Sequence, residues 1–115
     1  MKVAIVGSRR RHCQDEVYAL VDSLKDTDVV VSGGAVGPDS WAVERAKERG
    51  LFVKVFHARI NRYSRFEVIK SFYERNKKIA EYADVVYAFV SPDRIGGTEN
   101  TIKWAKKFGK KVVLL

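Results

Sequence analysis

The stretch Val29–Asp39, VVVSGGAVGPD, constrains the rest of the chain. Three β-branched valines run into Ser32-Gly33-Gly34, a third glycine follows at Gly37, and Pro38-Asp39 open a segment with helical patterning. β-Branched residues favour a strand, and proline suits the first helical position, where its missing N–H leaves nothing unpaired. α/β proteins use a strand that turns through glycines into a helix start to hold phosphates, because the first N–H groups and the dipole of the helix favour an anion. Gly33 and Gly34 can take positive φ and let a ligand approach the backbone, which a Cβ would prevent. The stretch is neither G-x-G-x-x-G nor a P-loop ending in G-K-[ST], so a tight turn without a ligand is the competing reading.

The flanking sequence repeats the same alternation. Apolar runs of strand length lie at Lys2–Val6, Val29–Ser32, Leu51–Phe56, Asp84–Val90 and Lys111–Leu115. Between them come helical patterns: Val17, Leu20, Val21 and Leu24 at i, i+3, i+4, i+7; Pro38–Arg49; Phe66–Tyr82, which leaves room for a break near Lys70; and Thr98–Phe108. Gly50 and Gly109 stop two of these helices. The segment from His57 to Arg65 reads as a basic loop. Such alternation implies an α/β fold, a parallel sheet with helices on both faces. Right-handed crossovers leave few orders, and 3-2-1-4-5 is the expected one: a three-layer Rossmann-like fold, with residues 1–115 as a single domain.

Composition narrows the function. One cysteine, Cys13, excludes an internal disulfide, and two histidines, His12 and His57, argue against a metal cluster. No apolar run reaches membrane-span length, and MKVAIVG is too short for a signal peptide, so a cytoplasmic protein is expected. Lys plus Arg is 22 against 14 for Asp plus Glu, a net charge of +8. That favours polyanionic partners, nucleic acid or nucleotides; a heat-adapted surface is the alternative. The basic segments are Arg9-Arg10-Arg11, Arg59–Lys78 and Lys103–Lys111. To form a nucleic-acid groove they would have to share one face.

In a parallel sheet every loop after a strand lies on one edge. Gly7-Ser8-Arg9 leaves the first strand, Ser32–Asp39 the second, and Ser91–Thr98, with Gly96-Gly97, the fourth. Order 3-2-1-4-5 makes these loops converge at the topological switch point, where open α/β sheets bind ligands. Ser8 and Arg9 are candidate ligand contacts for that reason. Thr98 is read as a phosphate ligand or a helix cap, Asp39 as a ribose ligand or a partner of the helix dipole. Arg75 is a ligand group or a surface partner of Glu74 or Glu81. Cys13, Trp41 and Trp104 read as packing residues.

SGGAVGPD at Ser32–Asp39, Arg75-Asn76, and GGTENT at Gly96–Thr101, with GSR after the first strand, resemble the SMF/DprA–LOG (SLOG) superfamily. Within it they are similar to the small single-domain YspA/YpsA-like group. The resemblance covers essentially the whole chain and implies a Rossmann-like fold with a pocket for a nucleotide or nucleotide-derived ligand. Members of the superfamily include cytokinin-activating phosphoribohydrolases, the DNA-processing protein DprA, and proposed nucleotide sensors linked to mobile elements and defence. Carried over by position, Gly33, Gly34, Gly37, Gly96, Gly97 and Thr98 line the phosphate side, with Gly7, Ser32, Asn76 and Thr101 beside them. Arg75 matches the arginine of the phosphoribohydrolase site. Those hydrolases read P-G-G-x-G-T-x-x-E, whereas here Thr101 stands three residues after Thr98. Asp39 or Glu99 is then left as the catalytic carboxylate. The expected function is binding of a nucleotide-like small molecule, as sensor or processing protein, with no cofactor beyond that ligand. An N-glycosidic hydrolase of nucleoside phosphates and a DprA-like nucleic-acid-binding protein are the alternatives. A homo-oligomer is left open.

Overall fold

The computed structural model describes residues 1–58 and 64–115. Its elements are β1 (Lys2–Gly7), α1 (Gln14–Asp22), β2 (Val29–Ser32), α2 (Pro38–Glu48), β3 (Phe52–Val55), α3 (Arg65–Tyr82), β4 (Val85–Phe89), α4 (Gly97–Lys107) and β5 (Lys111–Leu114). All neighbouring strands pair in parallel, in the order β3-β2-β1-β4-β5. This is the Rossmann-like arrangement expected from the alternation. Residues 59–63, part of the expected basic loop with Arg59 and Arg62, lie outside the described residues.

Successive side chains of a strand point to opposite faces, and β1 supplies both cores. Val3 and Ile5 join Val17, Val21, Val30, Ala42 and Ala46 beneath α1 and α2. Ala4 and Val6 join Val31, Val86, Ile79, Ala80, Ile102 and Ala105 beneath α3 and α4. Ala42 and Ala46 are fully buried, as small residues on the inner face of α2 must be for it to lie close to the sheet. Cys13 is buried in the first core, and burial pushes its thiol pKa up. Trp41 and Trp104 pack against the two cores, one on each face.

α3 is unbroken from Arg65 to Tyr82, with no interruption near Lys70. Its start is fixed by Ser64, whose Oγ accepts a hydrogen bond from the Glu67 N–H at 3.1 Å. Eighteen residues span about 27 Å, more than the five-residue strand β4 beside it, at about 17 Å. The buried residues of α3, Asn76, Ile79 and Ala80, all lie in its second half. Its first half overhangs the carboxyl edge of the sheet and leaves Phe66, Ile69, Phe72 and Tyr73 exposed.

Candidate functional site

Strand β1 lies between β2 and β4, so the loops after these three strands meet at the carboxyl edge of the sheet. They enclose a cleft of about 800 Å³ together with the overhanging wall of α3. Gly7, Ser8, Arg9, Gly33, Gly34, Asp39, Arg75, Asn76, Gly96, Gly97, Thr98 and Thr101 line it, all of them expected from the sequence. Arg10, Val36, His57, Ile69, Phe72, Tyr73 and Ile95 line it as well. Ser32 and Gly37 sit behind this lining and Glu99 lies outside it.

Two helix starts lie at this edge of the sheet, and that of α4 opens onto the cleft through Gly96, Gly97 and Thr98. Gly37 (φ 98°) caps α2 and Gly96 (φ 124°) caps α4, and neither start has a side-chain cap. Both backbone angles lie in the region that side chains with a Cβ rarely adopt. The first N–H groups of an α-helix have no partner inside it, and the start of α4 offers them to an anion; in α2, Pro38 has no N–H and the Ser40 N–H donates to the Ala35 carbonyl at 3.1 Å. Thr98 is therefore not a cap: it lies inside the first turn of α4, facing the cleft. Thr101 is buried and donates from Oγ1 to the Gly97 carbonyl at 3.4 Å.

Gly34 takes positive φ (68°), and Gly33 does not. Gly33 is needed because of Arg75. A Cβ there would stand 2.8 Å from Arg75 Nη1 and 3.0 Å from its Cδ and Cζ. Arg75 donates from Nη1 to the Gly33 carbonyl at 2.7 Å and from Nε to Asn76 Oδ1 at 3.0 Å, and lies over the Phe72 ring at 5.5 Å. It pairs with neither Glu74 nor Glu81. Three of its five N–H donors remain for a ligand. Asn76 is buried and donates from Nδ2 to the Gly97 carbonyl at 3.2 Å and to Asn100 Oδ1 at 3.3 Å. Two consecutive residues of α3 thus hold both glycine loops.

Asp39 stands in the first turn of α2, as a partner of the helix dipole would, and its carboxylate also has donors from the two strand ends. It is buried, and one carboxylate oxygen accepts from the Gly7 N–H at 3.1 Å. The other accepts from the Gly33 N–H at 3.2 Å and the Ser32 hydroxyl at 3.1 Å. It clamps the ends of β1 and β2 together. Burial raises its pKa to about 6, against the pull of those hydrogen bonds and of Arg75. Burial lowers the Arg75 pKa, and the Asp39 charge opposes that shift.

Glu99 is bound by Arg94 through Nε at 2.8 Å and Nη2 at 2.9 Å. Neither of the expected catalytic carboxylates is thus a free group facing the cleft. The Arg9-Arg10-Arg11 run is also divided. Arg10 pairs with Asp93 across the mouth of the cleft, which holds the Asp93 pKa down at about 2. Arg11 donates to the carbonyls of Val90 (2.8 Å) and Leu115 (2.7 Å). Arg9 is exposed and lines the cleft.

The fold is an α/β Rossmann-like one with a loop-built cleft at its switch point. This fold is shared with a solved structure described as "X-ray structure of DNA processing protein A (DprA) from Streptococcus pneumoniae". The two agree with a TM-score of 0.81 at 22% sequence identity, over 98% of this chain and 49% of that one. The chain thus spans about half the length of that protein, and the likeness is one of fold, the fold the SLOG resemblance implies. No protein-family model matches the sequence, and no curated protein sequence matches it.

Proposed function

We propose that the cleft binds a phosphate-bearing nucleotide or nucleotide derivative, in the manner of the small single-domain branch of the SLOG superfamily. The observation that carries this reading is the meeting, in one cleft, of the uncapped start of α4 with the free N–H groups of Arg75. The start of α4 is the better phosphate seat. Its acidic residue, Glu99, is neutralised by Arg94, whereas the first turn of α2 already carries Asp39. Thermal unfolding in the presence of nucleoside monophosphates, cyclic nucleotides and ADP-ribose derivatives tests the proposal, because a ligand that binds the folded state raises the midpoint. The expected result is stabilisation by phosphorylated compounds and much less by the parent nucleosides, with no release of free base. The occupied carboxylates weigh against hydrolysis. Efficient base release, abolished by Glu99→Gln or Asp39→Asn, would restore the hydrolase reading.

A second reading, binding of nucleic acid, is favoured by the distribution of charge. Residues 14–50 hold four basic and eight acidic side chains; residues 51–115 hold fourteen basic and six acidic. Among the described residues every ion pair involves an arginine or the amino terminus, and no lysine takes part. α3 and α4 pack side by side, so Lys77, Lys78, Lys103, Lys106 and Lys107 stand on the same layer. Parts of two basic segments meet there: Lys77 and Lys107 both lie over the Trp104 ring, at 4.9 and 5.1 Å. Single-stranded DNA is expected to bind weakly and without sequence preference. Each neutralised phosphate should contribute roughly 0.7 to the slope of log K against log salt. Replacing Lys77, Lys103 and Lys107 by Gln should flatten that slope by about 2, read by fluorescence anisotropy across a salt series. An unchanged slope would remove this face from the account.

A further inference from the structure

Of the large hydrophobic side chains exposed among the described residues, five line this one cleft: Val36, Ile69, Phe72, Tyr73 and Ile95. Val36 and Ile95 are 71% and 72% exposed, on the loops before α2 and α4; Phe72 and Tyr73 are 37% and 49% exposed, on the overhang of α3. Scattered exposed apolar residues need no explanation, but a cluster inside a concave site marks a ligand surface. An inorganic anion would gain nothing from it.

We infer that Phe72 and Tyr73 form a platform for the base of the nucleotide, placed one ribose away from the phosphate seat. The inference rests on the nucleotide reading above and adds the part of the ligand that the platform recognises. Arg75 sets the spacing: its guanidinium touches the Gly33 carbonyl at 2.7 Å and lies over the Phe72 ring at 5.5 Å. One side chain therefore joins the Gly33 loop to the first ring of the platform, and its neighbour Asn76 holds the Gly97 carbonyl at the start of α4 at 3.2 Å. In a nucleoside 5′-monophosphate the ribose spans the same two chemistries, a charged end and a flat aromatic one. Aromatic rings accept any base by stacking, since every base has a π-face. Val36 and Ile95, on the facing loops, give the base an apolar cover.

Titration calorimetry with ribose 5-phosphate and the four common nucleoside 5′-monophosphates tests this. Wild type should bind the best nucleotide about 5- to 150-fold more tightly than ribose 5-phosphate, the range that one stacked base supplies. The Phe72→Ala, Tyr73→Ala double variant should bind that nucleotide no better than it binds ribose 5-phosphate. Phe72→Tyr and Tyr73→Phe should retain the preference. Both side chains are part-exposed, so the double variant is expected to fold, which its circular dichroism checks. Equal binding of ribose 5-phosphate and nucleotides by wild type, or a preference that survives in the double variant, would overturn the platform and leave the phosphate seat standing. Failure of wild type to bind any of the five would overturn both.

Discussion

Gly7→Ala is expected to cost about 3 kcal/mol or more of unfolding free energy, the upper range for overpacking a core. Gly7 ends β1 at the centre of the sheet. A Cβ there would lie 2.6 and 2.7 Å from Pro38 Cγ and Cβ, and 2.9 Å from Phe89 Cβ. None of these atoms is the far end of a flexible chain. The proline ring is fixed at the start of α2 and Phe89 is buried at the end of β4, so relief requires α2 or β4 to move. Gly97→Ala is the contrast: its nearest atom, Asn76 Nδ2, is 3.8 Å away, and its φ is not positive. It should leave stability unchanged or slightly raised. Urea denaturation reads both. A Gly7→Ala midpoint equal to wild type would mean that β1 and α2 are not packed as described.

Asp39→Ala is expected to cost about 3 to 5 kcal/mol, because it strands two buried N–H groups and a buried hydroxyl. Asp39→Asn should cost less, since one oxygen remains, and it separates the packing of this side chain from its charge. The folded-state pKa of Asp39 is about 6 against an ordinary 3.8, so the native protein holds this proton more tightly than the unfolded chain. Its contribution is therefore greatest below about pH 4 and declines as the pH rises through about 6. The total decline approaches about 3 kcal/mol at 1.36 kcal/mol per pKa unit. Asp93, Asp22, Asp28 and Asp84 have lowered pKa values and contribute the opposite slope at lower pH. The difference between wild type and Asp39→Asn isolates the single group. It should shrink as the pH is raised from 4 to 7, and a constant difference would show that Asp39 titrates normally.

Strand order was legible in the sequence because apolar runs and helical periods alternate without interruption, and parallel crossovers then allow few orders. Three special loops at one edge placed the cleft. The roles inside it were harder to read, because they depend on contacts between residues far apart in the chain. Gly33 looked like a φ-driven glycine, yet it is fixed by Arg75, forty-two residues away. Asp39 looked like a helix-dipole partner because its neighbours in sequence are a helix start; its hydrogen-bond donors come from β1 and the end of β2. The division of Arg9, Arg10 and Arg11 depends on Asp93 and two distant carbonyls. One missed feature did have a local signal. Ser64 with Glu67 three residues later is a helix-start pattern, and it would have fixed where α3 begins. The exposed aromatics of its overhang read as the apolar stripe of an ordinary helix, since periodicity does not reveal where the sheet beneath it ends.

The central claim is that the cleft recognises a nucleotide through its phosphate, with Arg75 as the charged donor. Calorimetric titration of wild type and Arg75→Ala with the tightest-binding nucleoside 5′-monophosphate and its parent nucleoside tests that most directly. A charged hydrogen-bonding donor contributes on the order of 1.5–3 kcal/mol. Arg75→Ala should therefore weaken the nucleotide by roughly ten- to a hundredfold. Arg75→Lys should recover part of the loss, since lysine lacks the planar fork. The nucleoside should bind weakly and alike to all three proteins. Equal affinity of wild type and a folded Arg75→Ala for the nucleotide, or wild-type binding that ignores the phosphate, would contradict the account.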